Sequence, residues 1–123
     1  MSGKEILVDT NIFLYLLKGN ETIEEILQGK IIYLSVITEL ELLGFSKLSA
    51  KEEKTIIQLL IDCKVINIDN SIKNFYSSLR KKYNLKLADA IIAATSISLG
   101  IPLITADKQF QIVSELNLIA YEV

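Results

Sequence analysis

The sequence contains no histidine and no tryptophan, and only one cysteine, one proline and one methionine among 123 residues. Without histidine, serine or cysteine triads that work through an imidazole are excluded, as are zinc sites built from cysteine and histidine. A single thiol cannot close a disulfide within the chain. Cys63 lies between Leu59-Leu60-Ile61 and Val65-Ile66, where it reads as a small buried hydrophobe without a functional role. A surplus of one charge is also missing: 13 basic against 15 acidic residues leave a net charge of −2, too little basicity to hold nucleic acid by bulk attraction. Any nucleic-acid contact must therefore be local. The opening Met1-Ser2-Gly3-Lys4-Glu5 has no signal-peptide architecture. The longest charge-free stretch, residues 90–106, is 17 residues long, flanked by Asp89 and Asp107 and broken by Gly100-Ile101-Pro102, so it is not a membrane span. A cytoplasmic location is expected, and carboxylates remain as the carriers of any chemistry.

Half of the residues are hydrophobic, 39 of them Ile or Leu, which excludes disorder and supplies a core of domain size. No repeat, low-complexity tract or flexible linker interrupts the chain, so one domain over residues 1–123 is expected. Short apolar runs alternate with helical patterns. Strands are expected at 5–9, 30–35, 64–68, 102–105 and 118–123, and helices at 11–18, 21–28, 36–43, 50–62, 70–83 and 87–99, with Gly19, Gly29, Gly44 and Gly100 as stops. Apolar strands separated by amphipathic helices predict an α/β fold, with a mainly parallel sheet of four to five strands covered on both faces.

In such a sheet, functional groups gather at the carboxyl ends of strands, near the point where strand order reverses. Asp9 ends the first expected strand, Glu39 and Glu41 follow the second by about one helical turn, and Asp107 comes two residues after Thr105, the end of the fourth. Asp89, in the first turn of the following helix, reaches the same edge if that helix packs closely; Ala93, Ser96 and Gly100 at helical spacing give it a small-residue stripe for doing so. Each acid also has an ordinary explanation. Asp9 and Asp107 suit helix caps, and Thr38-x-x-Glu41 matches a capping box. Four capping acids, however, have no reason to converge on one sheet edge. Residues two apart on a helix point in nearly opposite directions, so only one glutamate faces the site, and Glu41 is chosen over Glu39. Four carboxylates held together repel unless a proton or a cation relieves them, and Mg²⁺ or Mn²⁺ suits an all-oxygen set. Arg80-Lys81-Lys82 with Lys86 is the densest basic run; it reads first as a solvated helix face and second as a weak phosphate contact.

At these residues the pattern resembles the PIN domains, in particular the VapC-type toxins of toxin–antitoxin pairs. Leu7-Val8-Asp9-Thr10-Asn11 looks like the family's opening strand with its first metal-binding aspartate. Ser35 to Gly44 looks like the second segment, with Glu41 as its acid, Leu87 to Ala94 like the third with Asp89, and Ile104 to Phe110 like the last with Asp107. The resemblance implies a three-layer α/β/α sandwich and a metal-dependent endoribonuclease. It also implies a small antitoxin that blocks the active site, and usually a homodimer. In that reading Asp9 and Asp89 are the main ligands of Mg²⁺ or Mn²⁺, Glu41 and Asp107 complete the site, and Asn11 and Thr105 orient the ligands. A metal-activated water attacks the RNA phosphodiester in line and leaves 5′-phosphate and 3′-hydroxyl ends.

Three other readings compete. One is a PIN nuclease of RNA processing outside any toxin pair. Another is a catalytically silent PIN-like module that binds RNA or protein; it gives no reason to retain mutually repelling acids. The third, a phosphotransfer domain with Asp9 as nucleophile, is disfavoured because Asn11 replaces the second acid of an Asp-x-Asp site.

Overall fold

A computed structural model describes residues 3–122. Five strands, β1 (Glu5–Val8), β2 (Ile31–Ser35), β3 (Lys64–Ile66), β4 (Leu103–Thr105) and β5 (Leu118–Ala120), form one sheet in the order β3-β2-β1-β4-β5. Every neighbouring pair is parallel. Six α-helices connect them: α1 (Thr10–Leu17), α2 (Glu21–Leu27), α3 (Val36–Leu43), α4 (Ala50–Ile61), α5 (Asn70–Lys82) and α6 (Leu87–Leu99); a short 3₁₀ helix, Lys108–Ile112, follows β4. The expected alternation is thus present. Expected β3 is cut back to Ile66, and β5 ends at Ala120, with Val123 outside the described residues, as are Met1 and Ser2.

The period-two geometry of a strand sends alternate side chains to opposite faces, and β1 shows what that builds. Ile6 and Val8 enter one core with Ile12, Phe13, Ile23, Leu34, Leu42 and Ile56, beneath α1 to α4. Leu7 enters the other, with Ile72, Leu79, Ile92, Ala93 and Phe110, beneath α5 and α6. Two helical layers on a sheet buried from both sides explain why the strands read as unbroken apolar runs. Cys63, half-buried, has its thiol pushed up to about 11 by burial and by the neighbouring Asp62, so it stays protonated and inert near neutral pH. No helix among the described residues is long and apolar enough to cross a membrane.

The sheet order places the site. From β1 the chain moves outward through β2 to β3, then crosses back so that β4 pairs with the other side of β1. Strand order therefore reverses between β1 and β4, where Val8 registers with Ile104. The next residues in the chain are Asp9 and Thr105.

Candidate active site

Asp9 is the N-cap of α1, with extended backbone and its Oδ1 accepting from the Thr10 amide at 2.8 Å. Its amide donates to the Ile104 carbonyl at 3.1 Å, which fixes the residue against β4. Its second oxygen, Oδ2, accepts from the Thr105 hydroxyl at 2.6 Å. Asp9 is only 6% exposed and Thr105 1%. Asp107 repeats the pattern one strand away. It caps the 3₁₀ helix through Oδ1, which accepts from the Gln109 amide at 2.9 Å, while its own amide donates to Thr105 Oγ1 at 3.0 Å. Capping and clustering are not alternatives here: each aspartate spends one oxygen on a helix start, and Thr105 bridges the two residues.

Glu41 comes from the far end of α3. Its Oε1 accepts from Thr10 Oγ1 at 2.8 Å, and the same hydroxyl lies 3.2 Å from Thr38 Oγ1. The capping box expected from Thr38-x-x-Glu41 is not formed. Ser35, the last residue of β2, caps α3 by accepting from the Ile37 amide, so Thr38 falls inside the helix, fully buried, and faces α1. Sequence reasoning assigned Thr10 no role. Its only signal is its place after a capping aspartate, because its partner lies 31 residues away. Asn11, expected to orient a ligand, is exposed on α1 and makes no side-chain hydrogen bond among the described residues.

Asp89 stands in the first turn of α6, half-buried. Ala90 to Ser96 behind it are all buried, and Ser96 donates to the Ile101 carbonyl, so Ala93 and Ser96 of the small-residue stripe are packed, while Gly100, its third member, is exposed. Gly100 ends the helix in the left-handed conformation at φ 67°, where a side chain is disfavoured.

Charge ties these residues together. Burial first, then the negative charges of Asp107, Asp9 and Glu41, push the Asp89 carboxyl up to about 6 against the opposing pull of Lys86. Asp9 is also raised, by burial and by Asp107 and Glu41, with the Thr105 and Thr10 hydrogen bonds opposing. Asp89 thus lies within reach of the charge of the other three acids. Among the described residues, however, no group of three or more acids or cysteines stands in position to hold a metal ion; Glu41 is turned to Thr10 and Asp107 to the Gln109 amide. The donor chemistry fits a hard divalent cation: every donor is oxygen, and Asp9 and Asp89 are destabilised as anions.

The basic run divides. Lys82 pairs with Glu115 at 3.2 Å, and Arg80 donates to the Tyr76 hydroxyl at 3.0 Å. Lys81 is exposed, and Lys86, at the start of α6, is the base whose charge acts on Asp89.

Comparison with known proteins decides the family. The PIN domain family model matches residues 6–116. The chain is a PIN domain. No curated protein sequence matches it. Among solved structures, this PIN domain superposes on a toxin–antitoxin complex from Klebsiella pneumoniae with a TM-score of 0.82 and 32% identity, covering 96% of this chain and 99% of that one. VapBC-1 from nontypeable Haemophilus influenzae gives 0.77 and 26% over 94% and 97% of the two chains. VapBC2 from Rickettsia felis, bound to a DNA fragment from its promoter, gives 0.83 and 23% over 96% and 99%, a likeness of fold. The five-stranded parallel sheet of this PIN domain is the architecture they share.

Proposed function

We propose that this PIN domain is the toxin of a VapBC-type toxin–antitoxin pair, a Mg²⁺- or Mn²⁺-dependent endoribonuclease that a small antitoxin silences by covering the acid cluster. The observation that carries the reading is the convergence of acids at the switch point: the Thr105 hydroxyl bonds both Asp9 Oδ2 and the Asp107 amide, Thr10 next to Asp9 holds Glu41, and the charges of all three raise Asp89. A purely structural edge has no reason to keep such a set, because removing one acid would relieve the rest. The toxin–antitoxin complexes among the structural neighbours support an antitoxin partner.

Asp9 and Asp89 hold the ion, with Glu41 and Asp107 completing its surroundings directly or through water. A divalent ion bound there supplies Lewis acidity, lowering the pKa of water and neutralising charge that develops on the phosphate. Thr105 fixes the Asp9 carboxylate by donating to Oδ2, so the acid needs little reorganisation to bind. Asn11, exposed two residues after Asp9, is available to contact substrate or ion. Lys86, whose charge acts on Asp89, draws phosphate toward it, and exposed Lys81 is a weaker candidate contact. The test is manganese-dependent cleavage of RNA by wild type and by Asp9→Asn. Cleavage by the wild type, lost with chelator and lost in Asp9→Asn, is expected; equal activity in both proteins overturns the assignment.

A further inference from the structure

Beside the acid cluster, a cleft opens between the carboxyl ends of β4 and β5, lined by Thr105, Asp107, Lys108, Gln111, Tyr121 and Glu122 among others. It shares Thr105 and Asp107 with the cluster. Its walls are built by period. In a 3₁₀ helix, side chains at i and i+3 eclipse, so Lys108 and Gln111 stand one above the other on the cleft face, both exposed. Phe110 and Val113, also three apart, are buried in the sheet core. Neither Lys108 nor Gln111 makes a side-chain hydrogen bond or ion pair among the described residues, so an ammonium and an amide are presented without partners.

The opposite wall, Tyr121, is tied at its amide, its hydroxyl and its ring. The Tyr121 amide donates to the Thr105 carbonyl at 2.8 Å. Its hydroxyl accepts from Asn20 at 3.4 Å, and its ring leans on Tyr15 with centroids 6.1 Å apart. Thr105 thereby registers both sides of the boundary: its hydroxyl donates to Asp9 while its carbonyl holds the residue that walls the cleft.

A cation, an amide with both donor and acceptor, and a fixed aromatic ring next to a carboxylate cluster make up the recognition set for one nucleotide of a single strand. We propose that the cleft seats the nucleotide adjoining the cleaved phosphodiester, with Lys108 on its phosphate, Gln111 on the base edge and Tyr121 as the wall on which the base rests. The assignment rests on the nuclease reading above and adds to it a source of sequence preference, which the acids alone do not supply.

The experiment maps cut sites on a pool of single-stranded RNAs and measures KM for the preferred site, using wild type, Lys108→Ala, Gln111→Ala and, as a remote exposed control, Lys51→Ala. Gln111→Ala broadens the bases found next to the cuts, and Lys108→Ala raises KM about tenfold, the size of one lost phosphate or stacking contact. Lys51→Ala matches wild type. Both cleft variants cutting the same positions with the wild-type KM overturns the subsite while leaving the nuclease intact. If wild type fails to cleave, the nuclease reading falls instead, and the cleft is judged by fluorescence anisotropy of single-stranded RNA on Asp9→Asn protein with Mn²⁺ present. Tighter binding than by the Asp9→Asn protein that also carries Gln111→Ala and Lys108→Ala sustains the cleft, and equal binding removes it.

Discussion

The hydroxyl of Thr10 donates to Glu41 Oε1 at 2.8 Å, so the first residue of α1 holds the one candidate acid that comes from α3. Glu41 is otherwise exposed, and a free glutamate samples several rotamers. Thr10 reduces that freedom and, through Thr38 at 3.2 Å, anchors the contact in a buried hydroxyl.

Replacing Thr10 by Val keeps the shape but removes the donor. The fold is expected to lose about 1 kcal/mol, seen as a fall of about 4 °C in Tm by calorimetry. Mn²⁺ affinity by titration calorimetry should drop in the same variant. Thr10→Ser, which retains the hydroxyl, should restore most of both. Unchanged Mn²⁺ affinity in Thr10→Val would show that Glu41 needs no help.

Asp9→Asn separates stability from activity. The carboxylate is buried and its charged form disfavoured, while the asparagine oxygen still caps α1 and Thr105 turns its hydroxyl to suit. Thermal unfolding of the metal-free protein should therefore occur at equal or higher temperature than in wild type, while RNA cleavage falls on the order of 10²-fold or more. A marked loss of Tm would mean that Asp9 serves the fold first.

The pH dependence has a definite sign. Asp89 is raised in the folded state from 3.8 to about 6, so the folded protein binds this proton more tightly than the unfolded chain does. Metal-free stability is accordingly greatest at the acidic side and falls as pH rises from about 4 to about 6, then levels. Asp89→Asn should flatten that part of the curve. Mn²⁺ should raise Tm more near pH 7.5 than near pH 5, because proton and ion compete for the same carboxylate. A thermal-shift series across pH, with and without Mn²⁺, measures all three.

The lysines of the basic run should not behave alike. Lys82 is committed to Glu115, whose carboxyl is held down at about 2, chiefly by the Tyr83 hydroxyl and also by Lys82. Lys86 instead acts on Asp89. Lys86→Ala should weaken RNA binding to Asp9→Asn protein several-fold, and the effect should shrink with added salt. Lys82→Ala should leave binding within a factor of two, as read by fluorescence anisotropy.

Much of this was legible because parallel strands, buried on both faces, announce themselves as apolar runs, and because helices end where Gly19, Gly29 and Gly100 permit a left-handed turn. Helix α6 matches its expected bounds of 87–99, as α3 matches 36–43. What escaped is what depends on distant partners. Ser35 and Thr38 are equally good caps by local chemistry; the choice is made by β2, which runs to Ser35 and starts α3 there. The bond between Thr10 and Glu41 spans 31 residues and that between Thr105 and Asp9 spans 96, beyond any local pattern. The eclipsed pair Lys108 and Gln111 depends on a 3₁₀ rather than an α period after Asp107, a difference of backbone hydrogen bonding that composition does not encode.

The central claim is that the acids at the switch between β1 and β4 bind a divalent ion, and crystals grown with Mn²⁺ test it directly by anomalous scattering. The account predicts an anomalous peak touching carboxylate oxygens of both Asp9 and Asp89 at about 2.1–2.3 Å, absent from crystals of Asp9→Asn. A peak bound away from these residues, or none at millimolar Mn²⁺, would contradict it.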